Sequence, residues 1–114
     1  MKDNRLYLIH ILESIGRIED YTRDGEVAFM RETKTQDAVL RNLQTLAEST
    51  QNLTPDLKGA SPQVNWDKIA GFRNVLVHDY LGINMVRVWE IIEHHLPELK
   101  SQVQTVLNHL KESS

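Results

Sequence analysis

Apolar side chains recur every three or four residues along most of the chain, which is the spacing of one face of a helix. The first such stretch predicts a helix over about residues 4–22, with Asp3 or Asn4 as its N-cap and Gly25 beyond its end. Its expected apolar stripe is Leu6, Ile9, Leu12, Ile15 and Ile18, flanked by Leu8 and Ile11. Because no segment shows the alternation of a half-buried strand, the pattern predicts an all-α protein.

The next apolar stripe predicts a helix over residues 35–51, for which Thr33 or Thr35 is the expected cap. The fragment "EVAFMRET" before it is expected to form a short turn or helical piece. Two of the three prolines oppose a continuous helix across residues 52–65. We therefore predict a loop there, with a short turn around residues 55–58.

In the second half of the chain, Asn65 is the expected N-cap of a third helix and Gly82 is the residue that ends it. Asn84 is the expected start of another helix, and Pro97 lies where that helix must kink or restart. The whole chain is therefore predicted to be one domain, an all-α bundle of four main helices. The last of these is either continuous or broken in two at Pro97.

Composition and charge narrow the classes of function. The chain has 114 residues and no cysteine, which excludes disulfides and zinc–thiolate sites and favours a cytoplasmic setting. The N-terminal segment does not resemble a signal peptide, and no apolar run reaches membrane-spanning length. The net charge is -3, from 13 basic and 16 acidic side chains, whereas sequence-independent DNA binders are normally basic. Any nucleic acid is therefore expected at a small local site.

Five polar side chains lie close together near the end of the third predicted helix: Arg73, Asn74, His78, Asp79 and Tyr80. At about 100° per residue, Arg73 and Tyr80 lie along one side of an ideal helix. His78 points about 140° away from Arg73 by the same arithmetic. One straight helix therefore does not bring the guanidinium and the imidazole to one point.

Two arrangements would bring these groups together. Either the helix ends near His78, so that Gly82 lets the chain turn, or two copies of the helix meet across a two-fold axis. A purely structural interpretation is also open, in which Arg73 pairs with a carboxylate, Asp79 stays solvated and His78 caps a carbonyl at the helix end. For an arbitrary Arg and His at this spacing, the structural interpretation is the more frequent one.

The segment "GFRNVLVHDY" resembles the Arg-x4-His-x-Tyr motif of HepT-like toxins of the HEPN superfamily, with Arg73, His78 and Tyr80 at the three named positions. "VNWDKIAGFRN" is similar to the family's approach to this helix, apart from Asn65 where proline is common. "YLIHILESIGRIEDYT" and "VWEIIEHHLPELK" resemble the flanking helices. The resemblance covers essentially the whole chain. It implies a HEPN-type antiparallel bundle of four to five helices that forms a homodimer.

The resemblance also implies an activity, the endonucleolytic cleavage of RNA without a metal ion or another cofactor. It further implies that the chain is the toxin of a type VII-like toxin–antitoxin system. Arg73 is then the expected phosphate clamp and His78 the general base or acid, contributed by both subunits at the dimer interface. Asn74 and Asp79 are expected to support them. The expected partner is a minimal nucleotidyltransferase antitoxin, which would neutralise the toxin by transferring AMP to Tyr80.

Other candidate residues receive structural interpretations. His94 and His95 are adjacent and point about 100° apart on a helix, so we expect solvated side chains near a helix end and no metal site. Trp89 has the spacing of a core or interface residue and is not expected to stack on bases. Lys68 and Arg87 are candidates for secondary RNA contacts, although a solvated surface is the default for both.

The acidic charge balance keeps a second function open. The chain would then be a non-catalytic helical module that binds a nucleotide or a protein partner within a nucleotidyltransferase complex. The presence of all three motif residues favours the ribonuclease, because a binding module does not need the histidine between the other two.

Overall fold

The computed structural model describes residues 3–77 and 84–113, with side chains for residues 3–73 and 84–110. In that part of the chain every regular element is helical, which confirms the predicted all-α class. The α-helices are α1 (Asn4–Tyr21), α2 (Glu26–Arg31), α3 (Thr33–Gln51), α4 (Pro55–Ala60), α5 (Trp66–Val77), α6 (Met85–Glu90) and α7 (Leu96–Ser113). A π-helical turn, Ile91–His95, joins α6 to α7.

The long helices form the predicted antiparallel bundle. α1 packs against α3, and Asn4 at the start of α1 exchanges two hydrogen bonds of 3.0 Å with Thr54, just beyond the end of α3. α5 packs against α3, and α7 packs against α1. Lys100 Nζ lies 2.9 Å from Glu19 Oε1, which joins the start of α7 to the end of α1. None of the helices described is long and apolar enough to cross a membrane.

The core is built from aliphatic side chains at helical spacing, but the buried face of α1 is rotated from the predicted stripe. Leu6 and Ile9 are exposed, at 46% and 38% of their full surface, whereas Leu8 and Ile11 are completely buried. The fully buried residues of α1 and α3 share one cluster: Leu8, Ile11, Ile15, Ile18, Val39, Leu43 and Leu46. Both sets have helical spacing, so periodicity alone did not distinguish them.

Three of the expected caps are confirmed. Asp3 Oδ1 accepts hydrogen bonds from backbone amides in the first turn of α1. Asn65 Oδ1 accepts from the Lys68 amide at 3.0 Å, and α5 begins at the next residue. Asn84 Oδ1 accepts from the Val86 amide at 3.0 Å at the start of α6. Each side chain satisfies an amide that has no partner within its own helix.

The predicted cap of α3 is wrong. α3 begins at Thr33, its N-cap position is Glu32, and Glu32 makes no capping hydrogen bond through its side chain. The Thr35 hydroxyl instead donates to Glu32 Oε1 at 2.9 Å. The predicted loop over residues 52–65 contains the short helix α4, which extends the expected turn and is capped by the Thr54 hydroxyl.

Pro97 neither ends nor restarts the last helix. Ile91 and Leu96 both keep α-helical backbone angles, and the Leu96 amide donates to the Ile91 carbonyl, five residues earlier. This wider turn lies immediately before the proline, whose ring crowds the carbonyl four residues back and which has no N–H to donate. The helical chain therefore runs from Met85 to Ser113 through a π turn.

Candidate functional site

Arg73 is the part of the predicted motif whose side chain the structure describes. It lies on α5 and is exposed, while Ile69 and Phe72 of the same helix are buried at 3% and 5% exposure. The buried pair fixes α5 against the core, and the guanidinium therefore projects from an anchored helix. The structure describes the backbone of Asn74, which lies on α5, but not its side chain.

The remaining predicted site residues, His78, Asp79 and Tyr80, lie outside the described residues, as does Gly82. Their geometry relative to Arg73 therefore stays a prediction. The described part of the site is α5 and the helix that faces it across a groove.

That groove, which we call the α5–π groove, has a volume of about 280 Å³. Its walls are Lys68, Gly71 and Phe72 of α5 and Arg87, Glu90 and His95 of the facing helix. Two cationic side chains, Lys68 and Arg87, and one carboxylate, Glu90, therefore line one cleft in a chain of net charge -3. Phe72, which lines the groove, is the residue immediately before Arg73.

Lys68, Phe72 and His95 also line a second groove, of about 190 Å³, on the side towards Glu98 and Gln102 of α7. The aromatic rings of Phe72 and His95 lie with their centroids 6.2 Å apart and their planes tilted by 33°. The Phe72–His95 contact thus separates two open grooves, and the imidazole is accessible from them.

Burial lowers the pKa of His95 below its ordinary value of 6.5, and the positive charges of Lys68 and His94 lower it further. The carboxylates of Glu98 and Glu90 oppose these effects without reversing them. His95 is therefore neutral at neutral pH, when one ring nitrogen is a donor and the other an acceptor.

The interpretation of His95 as a solvated helix-end residue is wrong, because it lies in mid-helix, half-buried, and in contact with Phe72. The helix was expected to end near His95, but it continues through the π turn into α7. Pro97, two residues further on in an otherwise helical pattern, was the available signal, since an uninterrupted helix accommodates proline only through a local change of hydrogen bonding.

Lys68 and Arg87, the candidates for secondary contacts, are both exposed and lie on the groove's two opposite walls. Neither forms an ion pair with another residue of the described part, whereas Lys100 is paired with Glu19. Trp89 is partly buried as predicted, with its ring centroid 5.4 Å from that of Phe29 and its Nε1 donating to Glu93 at 2.9 Å.

The described side chains include no cluster of three or more His, Asp or Glu residues that could hold a metal ion. The chemistry available at the α5–π groove is instead that of cations beside an aromatic wall. Such a surface suits a ligand with an anionic group and a flat ring.

Comparison with known proteins gives a consistent picture. The family model described as ribonuclease HepT-like matches residues 11–106. No solved structure gives a significant match to the chain.

Several curated proteins are similar over most of the chain. A Methanocaldococcus jannaschii protein named as a candidate RNase is 34% identical over 111 residues, which are 96% of this chain and 92% of that protein. A "probable ribonuclease HepT" of Thermococcus cleftensis is 32% identical over 106 residues, 90% of this chain and 94% of that protein.

A second M. jannaschii protein, whose name joins a gamma-glutamylcyclotransferase to a candidate RNase, is 34% identical over 110 residues. The match covers 96% of this chain but 50% of that protein. The present chain thus spans about half the length of this relative and nearly the full length of the other two.

Proposed function

The chain belongs to the HepT-like ribonuclease family, and we propose that it is a ribonuclease toxin that cleaves RNA without a metal ion. The observation that carries the proposal is the family match over residues 11–106, which includes the complete Arg-x4-His-x-Tyr segment. The exposure of Arg73 on α5 supports it, because a phosphate clamp must be accessible to substrate.

RNA supplies its own nucleophile, the 2′-hydroxyl, so the reaction does not require a metal-bound hydroxide. We assign His78 as the general base that takes the 2′-hydroxyl proton, or as the acid that protonates the leaving 5′-oxygen. An imidazole with a pKa near 6.5 suits either role near neutral pH. The 2′-oxygen forms a new bond to phosphorus as the bond to the 5′-oxygen breaks, giving a 2′,3′-cyclic phosphate and a 5′-hydroxyl.

Arg73 has the complementary role in this proposal. The planar guanidinium can donate two hydrogen bonds to the non-bridging phosphate oxygens and stabilise the negative charge that increases in the transition state. Asn74 would orient the arginine or the phosphate, and Asp79 would orient the histidine. Because the helical arithmetic separates Arg73 from His78, we further propose a homodimer in which both copies contribute to a shared cleft.

We also propose that the toxin is paired with a minimal nucleotidyltransferase antitoxin that transfers AMP to Tyr80. An AMP group at this position would add bulk and negative charge beside Arg73, and would exclude RNA both sterically and electrostatically. Co-expression with the neighbouring gene's product, followed by mass spectrometry, tests this step. We expect a mass increase of one or more AMP units on Tyr80 and none in Tyr80→Phe. Inhibition without any modification would contradict it.

The ribonuclease activity itself is tested with purified chain and RNA in the presence of a chelator. We expect undiminished cleavage and fragments that end in a 2′,3′-cyclic phosphate. Fragments with a 3′-hydroxyl and a 5′-phosphate would contradict the mechanism, since the 2′-hydroxyl would not have been the nucleophile. Loss of cleavage in chelator would contradict the metal-independent route.

A further inference from the structure

We propose that the α5–π groove binds one nucleotide of the substrate RNA, with its phosphate on Lys68 and Arg87 and its base against His95. This inference rests on the proposed function, because the nucleotide belongs to the RNA that Arg73 would clamp. It assigns roles to residues that lie outside the Arg-x4-His-x-Tyr segment.

The charges of the groove favour a phosphate. Lys68 and Arg87 face each other across it, and Glu90 is the acidic residue on its wall. Neither cation is neutralised by an ion pair within the described residues. Contacts of Lys and Arg with phosphates supply most of the affinity of proteins for single-stranded RNA, and they do so locally even where the whole chain is acidic.

The aromatic wall favours a base. Phe72 holds the His95 ring from the protein side, and the exposed part of the imidazole faces the grooves. Its nitrogens make no hydrogen bond to another described residue, and burial, Lys68 and His94 keep its pKa low and the ring neutral. A neutral imidazole stacks on a base and can also hydrogen-bond to its edge.

The groove is close in size to the smallest sites that hold a small molecule. Its volume of about 280 Å³ is near the lower limit for sites that hold a small molecule, about 300 Å³. Gly71 contributes to this space, since a Cβ built on it would meet no described atom within 4 Å. A Cβ at position 71 therefore has open space around it, at a residue that lines the groove.

Lys68 lies on the same helix as the motif arginine. It precedes Arg73 by five residues, which is about 7.5 Å along the helix axis and about 140° around it. The groove therefore lies on a different side of α5 from Arg73, and an RNA strand that contacts both must cross the helix.

The first test measures binding of a fluorescein-labelled single-stranded RNA by anisotropy, in the His78→Ala chain so that the RNA stays intact. Gly71→Leu, which fills the groove, is expected to weaken binding at least about fivefold. Gly16→Leu on α1 is the matched control, since a Cβ there also meets no described atom within 4 Å. Both changes replace a glycine in a helix with leucine, so the expected gain in helix propensity is similar in the two variants.

The second test separates stacking from packing and charge. His95→Ala is expected to weaken RNA binding about fivefold or more, and His95→Phe to restore most of it, because stacking needs only an aromatic face. The association constant for RNA falls as the salt concentration rises, and Lys68→Ala is expected to make the slope of this log–log plot shallower by about 0.7. That is the value for one phosphate contact in a single strand. Arg5→Ala, on α1 and outside both grooves, is expected to leave that slope unchanged.

Equal RNA affinity of Gly71→Leu and Gly16→Leu would overturn the proposal, as would an unchanged salt slope in Lys68→Ala. If Gly71→Leu bound RNA normally but escaped neutralisation by the nucleotidyltransferase, the groove would belong to a protein partner and the proposal would also fail. These outcomes do not test the proposed function. That function is tested separately, in the chain with an intact His78, by the expected loss of RNA cleavage in Arg73→Ala.

Discussion

His95 connects the local chemistry of the groove to the stability of the fold. Its pKa is lowered by burial, by Lys68 and by His94, with Glu98 and Glu90 opposing. The unfolded chain therefore binds a proton at this site at a higher pH than the folded chain does. As pH falls below 6.5, protonation favours the unfolded state, and stability is lost until the folded-state pKa has been passed.

We accordingly expect wild type to lose more unfolding free energy than His95→Gln between pH 7.5 and pH 5.5. Urea denaturation of both proteins at the two pH values measures the difference. Glutamine does not titrate, so the comparison removes the contributions of all other groups. An equal loss in the two proteins would show that the folded state does not depress the pKa of His95.

Ser14 is a buried polar residue of α1 with no exposed surface. Its hydroxyl has no hydrogen-bond partner among the described residues. Because a buried unsatisfied hydroxyl costs about 1 kcal/mol or more, Ser14→Ala is expected to stabilise the protein by about 1 kcal/mol beyond Ser101→Ala. Ser101 is exposed on α7 and controls for the higher helix propensity of alanine. A destabilised Ser14→Ala, measured in urea, would show that the hydroxyl has a partner.

At the scale of elements, polar residues identified helix starts better than apolar periodicity identified helix faces. Asp3, Asn65 and Asn84 cap as predicted because a side-chain oxygen next to orphan amides has one favourable arrangement. The face of α1 was predicted less well, since two overlapping apolar stripes satisfied the same period. The π turn before Pro97 was not predictable in its form, because proline permits a kink, a break or a wider turn.

The cap of α5 is the element-level feature that holds the site's helix in register. Asn65→Ala removes the hydrogen bond to the Lys68 amide and is expected to cost about 1 kcal/mol of unfolding free energy. Asn65→Asp keeps an acceptor oxygen and is expected to stay within a few tenths of wild type. Urea denaturation at pH 7.5 compares the two variants. If alanine and aspartate were equally stable, the side chain would not be the cap.

At the scale of the whole molecule, the helical bundle was predictable because long amphipathic segments with clear caps have few ways to bury their apolar faces. Of the predicted site residues, Arg73 is the one whose side chain the structure describes. Arg73 lies exposed on α5, whereas the α5–π groove depends on contacts between residues far apart in sequence. Lys68 and His95 meet there through tertiary packing that no local pattern encodes.

The central claim is that Arg73 and His78 cleave RNA. It is tested most directly by incubating RNA with purified wild type, Arg73→Ala and His78→Ala, alongside Arg5→Ala as a control for loss of one surface charge. We predict a loss of about 100-fold or more in cleavage rate for both motif variants, the size expected for a general acid or base or a transition-state clamp. Arg5→Ala should cleave like wild type. Undiminished cleavage by Arg73→Ala and His78→Ala would contradict the claim.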